Sequence, residues 1–385
     1  MRRIYLDHSG TTPVEPLVAD EIYRFLTGDN FGNPSSHHFF GYTVKEAVDL
    51  ARENVARALG ADFDEIVFTS GGTEADNLAI HGAATTNLNK GNHIITSAVE
   101  HHAVLNTVKA LGQQGFETTF LPVDRYGMVN LEDVKDAITE QTTLITIMHA
   151  NNEVGTIMPV AEIGKLARER GIIFHIDAVQ SFGKIPVDVN ALNCDLLTIS
   201  GHKIYGPKGI GALYIRKGTS WKQTLLHGGA QERLRRAGTE NIPGIIGLGK
   251  AAELAMNRLE EENSRLMSLR DRLIKGITGS ISGAHLTGHP VQRLPNHASF
   301  CFENIEGESL LHELDLKGVA ASTGSACTAG SLEPSHVLMA MGVPPYLAYG
   351  SLRLTLGRAN TEADMDYILS IIGPIIEELR AASPI

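Results

Sequence analysis

Cysteine is scarce in this chain. Its 385 residues hold three, Cys194, Cys301 and Cys327, with no CxxC pair and no zinc-ligand spacing. Long apolar runs are missing too: none approaches the roughly 18 residues a membrane-spanning helix needs. Met1-Arg-Arg is followed by only Ile-Tyr-Leu before Asp7, which excludes a signal-peptide core and makes the cytoplasm the expected compartment. Positive charge is in deficit, with a formal net charge of −11, and that speaks against a general nucleic-acid-binding surface. The sixteen histidines include the adjacent pairs His37-His38 and His101-His102. Neighbouring side chains diverge on a helix or a strand, so neither pair makes a metal site, and no intrinsic metal centre is expected.

What remains is an ordinary globular composition, 43% hydrophobic and 20% charged, in a chain long enough for two domains. Strand patterns at Glu65–Thr69, His93–Thr96, Glu117–Pro122, Thr143–His149, Ile172–Asp177, Asp195–Ser200 and Gly211–Ile215 alternate with helical ones. The helices are expected at Val44–Leu59, Glu74–Asn87, Ala103–Gln114, Leu131–Ala137 and Ile163–Glu169. This alternation predicts an α/β fold with a seven-stranded, mainly parallel sheet between helices. A long helical pattern from Pro243 to about Ile277 connects to further strands (Ala298–Phe302, Ser351–Leu356) and helices (Glu308–Leu314, Pro334–Met341, Glu362–Ala381). The predicted division is a large domain over 15–257 and a small α/β domain from 1–14 and 258–385.

Four segments carry chemistry. Leu197-Thr-Ile-Ser-Gly-His-Lys203 runs from a strand into a polar turn. A lysine just past a buried strand sits in a partly desolvated cleft, where its amine is more easily neutral and able to bond a carbonyl. The alternative is a surface turn lysine. Thr69-Ser-Gly-Gly-Thr-Glu-Ala-Asp-Asn77 follows a strand and opens a helix, a cradle for phosphate in backbone N–H groups and the Thr73 hydroxyl, or a Gly-rich helix cap and nothing more. It is neither a GK[ST] loop nor a GxGxxG fingerprint. Asp177 ends the strand of Phe174-His-Ile-Asp177, where ligands of open sheets bind, although a helix N-cap explains it equally. Phosphate cup, strand-end acid and strand-end amine together are what pyridoxal phosphate requires. Cys327 stands in Ala321-Ser-Thr-Gly-Ser-Ala-Cys-Thr-Ala-Gly-Ser331, a small-residue loop that suits an exposed nucleophilic thiol better than a packing one. Cys194 and Cys301, inside apolar runs, read as buried packing residues.

The segments SGHKIYGPKG, EHHAVL, NNEVG, HIDAVQS, RRAGTEN and STGSACTAGSLEPSHVL together resemble the cysteine desulfurases of the NifS/IscS type. These are group I members of the class V aminotransferase-like, fold-type I pyridoxal phosphate enzymes. The resemblance runs from LDHSGTTP to SLRLTLGR, essentially the whole chain. It implies that Lys203 is the Schiff-base lysine and that Gly72, Thr73, Ser200 and His202 hold the cofactor phosphate. Thr239 then reaches the phosphate of a neighbouring subunit in a homodimer. Asp177 pairs with the ring nitrogen, Gln180 meets the phenolic oxygen, and His101 stacks on the ring and shuttles protons. Asn33 and Asn152 face the substrate, L-cysteine, whose carboxylate Arg353 grips with two prongs. Cys327 takes the sulfur as a persulfide, leaves L-alanine, and passes the sulfur to an iron–sulfur scaffold or another acceptor. A transient cluster ligated by Cys327 with a scaffold partner belongs to the same resemblance. Selenocysteine is a further candidate substrate.

The family usually shows Asn-Ala-Ala where this chain has His8-Ser9-Gly10, a segment expected at the cleft entrance. The chain ends soon after its last predicted helix, and some relatives have a longer tail that helps dock a scaffold. A class V aminotransferase acting on small amino and keto acids is the alternative enzyme, but it leaves Cys327 without a task. A non-catalytic scaffold needs neither Lys203 nor Cys327.

Overall fold

The computed structural model describes residues 3–221, 224–324 and 334–382. Cys327 therefore lies outside the described residues. Strand β1 (Ile4–Tyr5) precedes seven strands that form the main sheet: β2 (Ile66–Thr69), β3 (His93–Ser97), β4 (Glu117–Leu121), β5 (Thr142–Met148), β6 (Ile173–Asp177), β7 (Leu196–Ser200) and β8 (Gly211–Ile215). Their spatial order is β2-β8-β7-β6-β5-β3-β4. Neighbours from β7 through β4 run parallel, while β8 is antiparallel to both β7 and β2. The strand order reverses between β5 and β3, and a crevice opens there beyond the carboxyl ends of the strands.

Alternation along these strands fills both faces. Val67, Ile94, Leu144, Leu196 and Leu213 pack beneath helices Gly72–Thr86 and His102–Gln113. Their neighbours Ile66, Phe68, Ile95, Ile145, Leu197 and Ile199 enter the opposite core. Helix Ile242–Ser280 is 39 residues long; Asn241 caps it through the Gly244 N–H at 3.2 Å, and Pro243 sits in its first turn. Its first half, around Ile245 to Leu254, packs on the main sheet's core. Its second half, Leu266 to Ile277, packs on a separate core with Phe300, Leu354 and Ile368.

That second core covers a three-stranded antiparallel sheet, β9 (Ala284–Leu286), β10 (His297–Phe302) and β12 (Ser351–Thr355), in the order β12-β10-β9. Strand β11 (Val319–Ala320) pairs in parallel with β1 and brings the first residues of the chain here. Cys194 and Cys301 are both fully buried, as expected from their apolar runs. Helix Pro16–Arg24 has no counterpart among the elements read from sequence, since only its Val18 is buried.

Candidate active site

A cavity of about 380 Å³ occupies the crevice at the carboxyl edge of the main sheet. Strand β2 feeds it Gly72 and Thr73, β3 His101, β5 Asn152, β6 Asp177 and Gln180, and β7 Ser200, His202 and Lys203. Arg353 arrives from β12 of the second sheet. All ten were named from the sequence, and the structure brings them onto one wall.

Lys203 closes the 3₁₀ turn Gly201–Lys203 that follows β7. Its Nζ donates to the carbonyls of Ser9 at 2.5 Å and Gly10 at 2.6 Å. Ser9 and Gly10 thus line the cavity beside Lys203, and Gln180 Nε2 also donates to the Ser9 carbonyl at 3.0 Å; His8 and Ser9 are buried. The adjoining strand of chain is pinned by Thr12 N–H to the His202 carbonyl at 2.9 Å and by Thr11 Oγ1 against His202 Nδ1 at 3.1 Å. Burial and neighbouring lysines hold the His202 ring down at a pKa of about 4.

Gly72 opens helix Gly72–Thr86, whose first-turn N–H groups and dipole favour an anion. A Cβ on Gly72 would come within 2.9 Å of Val179 Cγ2, so a larger residue here would have to displace that side chain. Asp177 does two jobs at once. Its Oδ1 accepts from the Val179 N–H at 2.9 Å, the cap-like bond, and the carboxylate still lines the cavity.

Asp76 was not singled out from sequence, although it lies one helical turn beyond Gly72 and Thr73 and so shares their face. It is fully buried, and its Oδ1 has no hydrogen-bond partner among the described residues, with His175 Nε2 at 3.7 Å. Burial raises Asp177 to about 6, and burial plus the Asp177 charge raises Asp76 well above the carboxylate range. Of the two coupled carboxyls, Asp76 is the one pushed further toward the protonated form. His175 stands between Thr146 Oγ1 at 2.8 Å and Thr198 Oγ1 at 3.0 Å, its ring kept neutral by burial, with a pKa pushed down to about 3.

His101 is the N-cap of helix His102–Gln113, accepting from the Ala103 N–H at Nδ1 (3.1 Å), and it lines the cavity. Burial, reinforced by the Lys203 charge, lowers its pKa to about 4. With Nδ1 accepting, the neutral ring carries its hydrogen on Nε2. Arg353 is 4% exposed. Its Nη2 donates to Asp7 Oδ1 at 2.8 Å and its Nη1 to the Asn152 carbonyl at 2.9 Å. Asp7 is a second cavity residue that sequence reasoning missed; no local motif marks it, because the contact spans almost the entire chain.

Two predicted positions lie off this wall. Asn33 is exposed, its Oδ1 accepting from the Ser35 N–H at 2.9 Å. Thr239 lines a separate cavity of about 160 Å³ with Arg236 and Asn241. Among the described residues no cluster of three or more His, Cys, Asp or Glu is placed to hold a metal ion.

The family model for class-V aminotransferases matches residues 4–368. The chain belongs to the class-V aminotransferase family. It is 57% identical over 384 residues to a cysteine desulfurase IscS of Methanosarcina thermophila, covering 100% of this chain and 94% of that one. It is 54% identical over 383 residues to a cysteine desulfurase IscS of Dictyoglomus turgidum, covering 100% and 97%. Among solved structures, a NifS-like protein superposes with a TM-score of 0.92 at 39% identity, covering 98% of this chain and 100% of that one. SspA in complex with cysteine superposes with a TM-score of 0.81 at 38% identity, over 92% and 98%. The family depends on pyridoxal phosphate, and the open Gly72 cup, the buried Asp177 and the strand-end Lys203 amine fit its phosphate, ring nitrogen and aldehyde.

Proposed function

We infer that this protein is a cysteine desulfurase, removing sulfur from L-cysteine with pyridoxal phosphate as its cofactor. The observation that carries this reading is the convergence of Lys203, Asp177 and a buried Arg353 on one cavity in a chain 57% identical to a named desulfurase. Bound in the cavity, pyridoxal phosphate supplies an aldehyde for an amine and a ring that withdraws electrons from the substrate's Cα.

The protein's own groups then have separable tasks. Gly72, Thr73, Ser200 and His202 form the phosphate cup, and Asp177 presents its charge to the ring nitrogen. Gln180 meets the phenolic oxygen. Arg353 binds the substrate carboxylate by exchanging its bonds to Asp7 and Asn152 for it. Lys203 Nζ, once unprotonated, takes the Cα proton. His101 holds a proton at Nε2 to exchange with the reacting sulfur.

Cys327, as thiolate, attacks the substrate sulfur: a sulfur–sulfur bond forms, the Cβ–S bond breaks, and its electron pair returns to Cβ, which takes up a proton. The balance is L-cysteine plus thiol giving L-alanine plus persulfide. Sulfur then passes to an iron–sulfur scaffold or another acceptor.

A homodimer accords with Thr239 lying off the main cavity and with the exposed Phe31, Phe39, Tyr23 and Leu26. Asn33 is assigned to substrate within that dimer. The division into domains 15–257 and 1–14 with 258–385 is supported by the separate core of Phe300, Leu354 and Ile368, while Val337, Leu338 and Ala348 join the main sheet's core. No helix of the described residues is long and apolar enough to cross a membrane, and the cytoplasm is the compartment we assign. The test is product analysis with L-cysteine alone: alanine and protein-bound sulfane sulfur in equal amounts support the assignment, and turnover only after a keto acid is added would replace it with an aminotransferase.

A further inference from the structure

Behind Lys203 lies a second, smaller cavity of about 20 Å³, on whose wall His8, Lys184, Lys203 and Asn296 meet. Lys203 lines both cavities and separates them. A single water needs about 10–15 Å³ of such space and two to four polar partners. The volume therefore holds one water and no larger ligand.

The polar groups on the wall are incomplete without it. His8 is 3% exposed and Asn296 is 2% exposed. His8 Nδ1 and Asn296 Oδ1 have no hydrogen-bond partner among the described residues. In the tautomer that carries its hydrogen on Nε2, His8 Nδ1 is a bare acceptor. Asn296 Oδ1 is a second acceptor, while its Nδ2 already donates to the Leu356 carbonyl at 3.1 Å. Two buried acceptors thus line a cavity whose lysines are donors, and leaving an acceptor unsatisfied costs about 1–3 kcal/mol. Rotation does not rescue His8: the ring packs edge-on against Tyr5 with centroids 4.9 Å apart, and a Cβ on Gly357 would overlap it.

We propose that this cavity is a site for one water molecule, which donates to His8 Nδ1 and Asn296 Oδ1 and accepts from Lys184 or Lys203 Nζ. His8 is then a positioning residue for the amine side of the active site. Burial and the charges of Lys203 and Arg353 pull Lys184 down to a pKa of about 7; its Nζ already donates to Gln180 Oε1 at 3.2 Å, and the water adds a further neutral acceptor. The consequence for turnover rests on the assignment of Lys203 as the reactive amine; the water site itself does not.

The experiment is a crystal structure of the full-length protein, free of substrate, at a resolution that orders buried water, for wild type, His8→Phe and His8→Asn. A water within 3.2 Å of both acceptors is expected in wild type. It should be lost in His8→Phe and kept in His8→Asn, whose amide oxygen restores an acceptor. Turnover of L-cysteine should fall about three- to tenfold in His8→Phe with KM little changed, and recover in His8→Asn. A dry cavity in wild type, or Lys184 Nζ bonded directly to His8 Nδ1, overturns the site. An ordered water with equal turnover in all three proteins overturns the positioning role. A wild type without desulfurase activity but with the water in place would count against the assigned function alone.

Discussion

Arg353→Ala should weaken L-cysteine far more than cofactor. The guanidinium is almost fully buried and reaches Asp7 Oδ1 at 2.8 Å and the Asn152 carbonyl at 2.9 Å, so both prongs are already aimed into the cavity. A hydrogen bond to a charged group contributes about 1.5–3 kcal/mol. Two of them to a substrate carboxylate amount to about 3–6 kcal/mol, from which exchange of the Asp7 and Asn152 bonds subtracts. A net of about 3 kcal/mol is a loss near 150-fold in kcat/KM. Arg353→Lys keeps the charge and loses the fork, so an intermediate loss is expected. Asp7→Asn removes the anion that competes with the substrate for Nη2 and should lower KM. Steady-state release of sulfide in the presence of a thiol reductant gives kcat and KM for L-cysteine and for cysteamine, which lacks the carboxylate and serves as control. Wild type and Arg353→Ala should differ little on cysteamine. An Arg353→Ala variant with unchanged kcat/KM for L-cysteine would refute the carboxylate grip, and an equal loss on both substrates would make Arg353 a structural residue.

Lys203→Ala should abolish the covalent tie between protein and cofactor, read by borohydride reduction and mass spectrometry; a reduced adduct retained at another lysine would contradict the assignment. Asp177→Asn should lower kcat by about 10²-fold or more while phosphate-cup binding persists, since only the charge facing the ring nitrogen is removed; unchanged kcat would leave Asp177 a cap and nothing else. His8, His101, His149 and His202 are each held down at about 4 by burial. The unfolded chain binds those protons first, so the contribution of these four rings is full above about pH 6.5 and is lost as pH drops from there toward 4, while Glu153 and Glu100, raised by burial to about 7 and 8, act in the opposite sense. Ring titration of the folded protein by NMR checks this: the four rings should stay neutral down to about pH 5, and rings titrating near 6.5 would contradict it.

The main sheet is legible because its strands are short apolar runs, and all seven observed starts lie within one residue of the sequence reading, with β8 identical at both ends. Helices Leu131–Ala137 and Ile242–Ser280 are equally plain, the latter because its apolar positions recur over ten turns. Helix Pro16–Arg24 escapes because it buries one residue and so leaves little periodic signal.

The site divides in the same way. Lys203, Asp177 and Gly72 follow strands, and strand ends on one edge of a parallel sheet converge by geometry. Asp76 needed only the helix periodicity. Asp7, Ser9 and Gly10 reach Lys203 and Arg353 through β1–β11 pairing and the bridge from Asp7 to Thr355, contacts that no local pattern encodes. That is why Asp7, Ser9 and Gly10 could not be placed on the cavity wall from sequence.

The most direct test of the account is single-turnover mass spectrometry of the purified protein after mixing with L-cysteine, beside Cys327→Ala. One added sulfur atom on Cys327, matched by one alanine and absent from the variant, is the predicted result. Alanine formed at full yield by Cys327→Ala, with sulfur on another residue or released free, would contradict it.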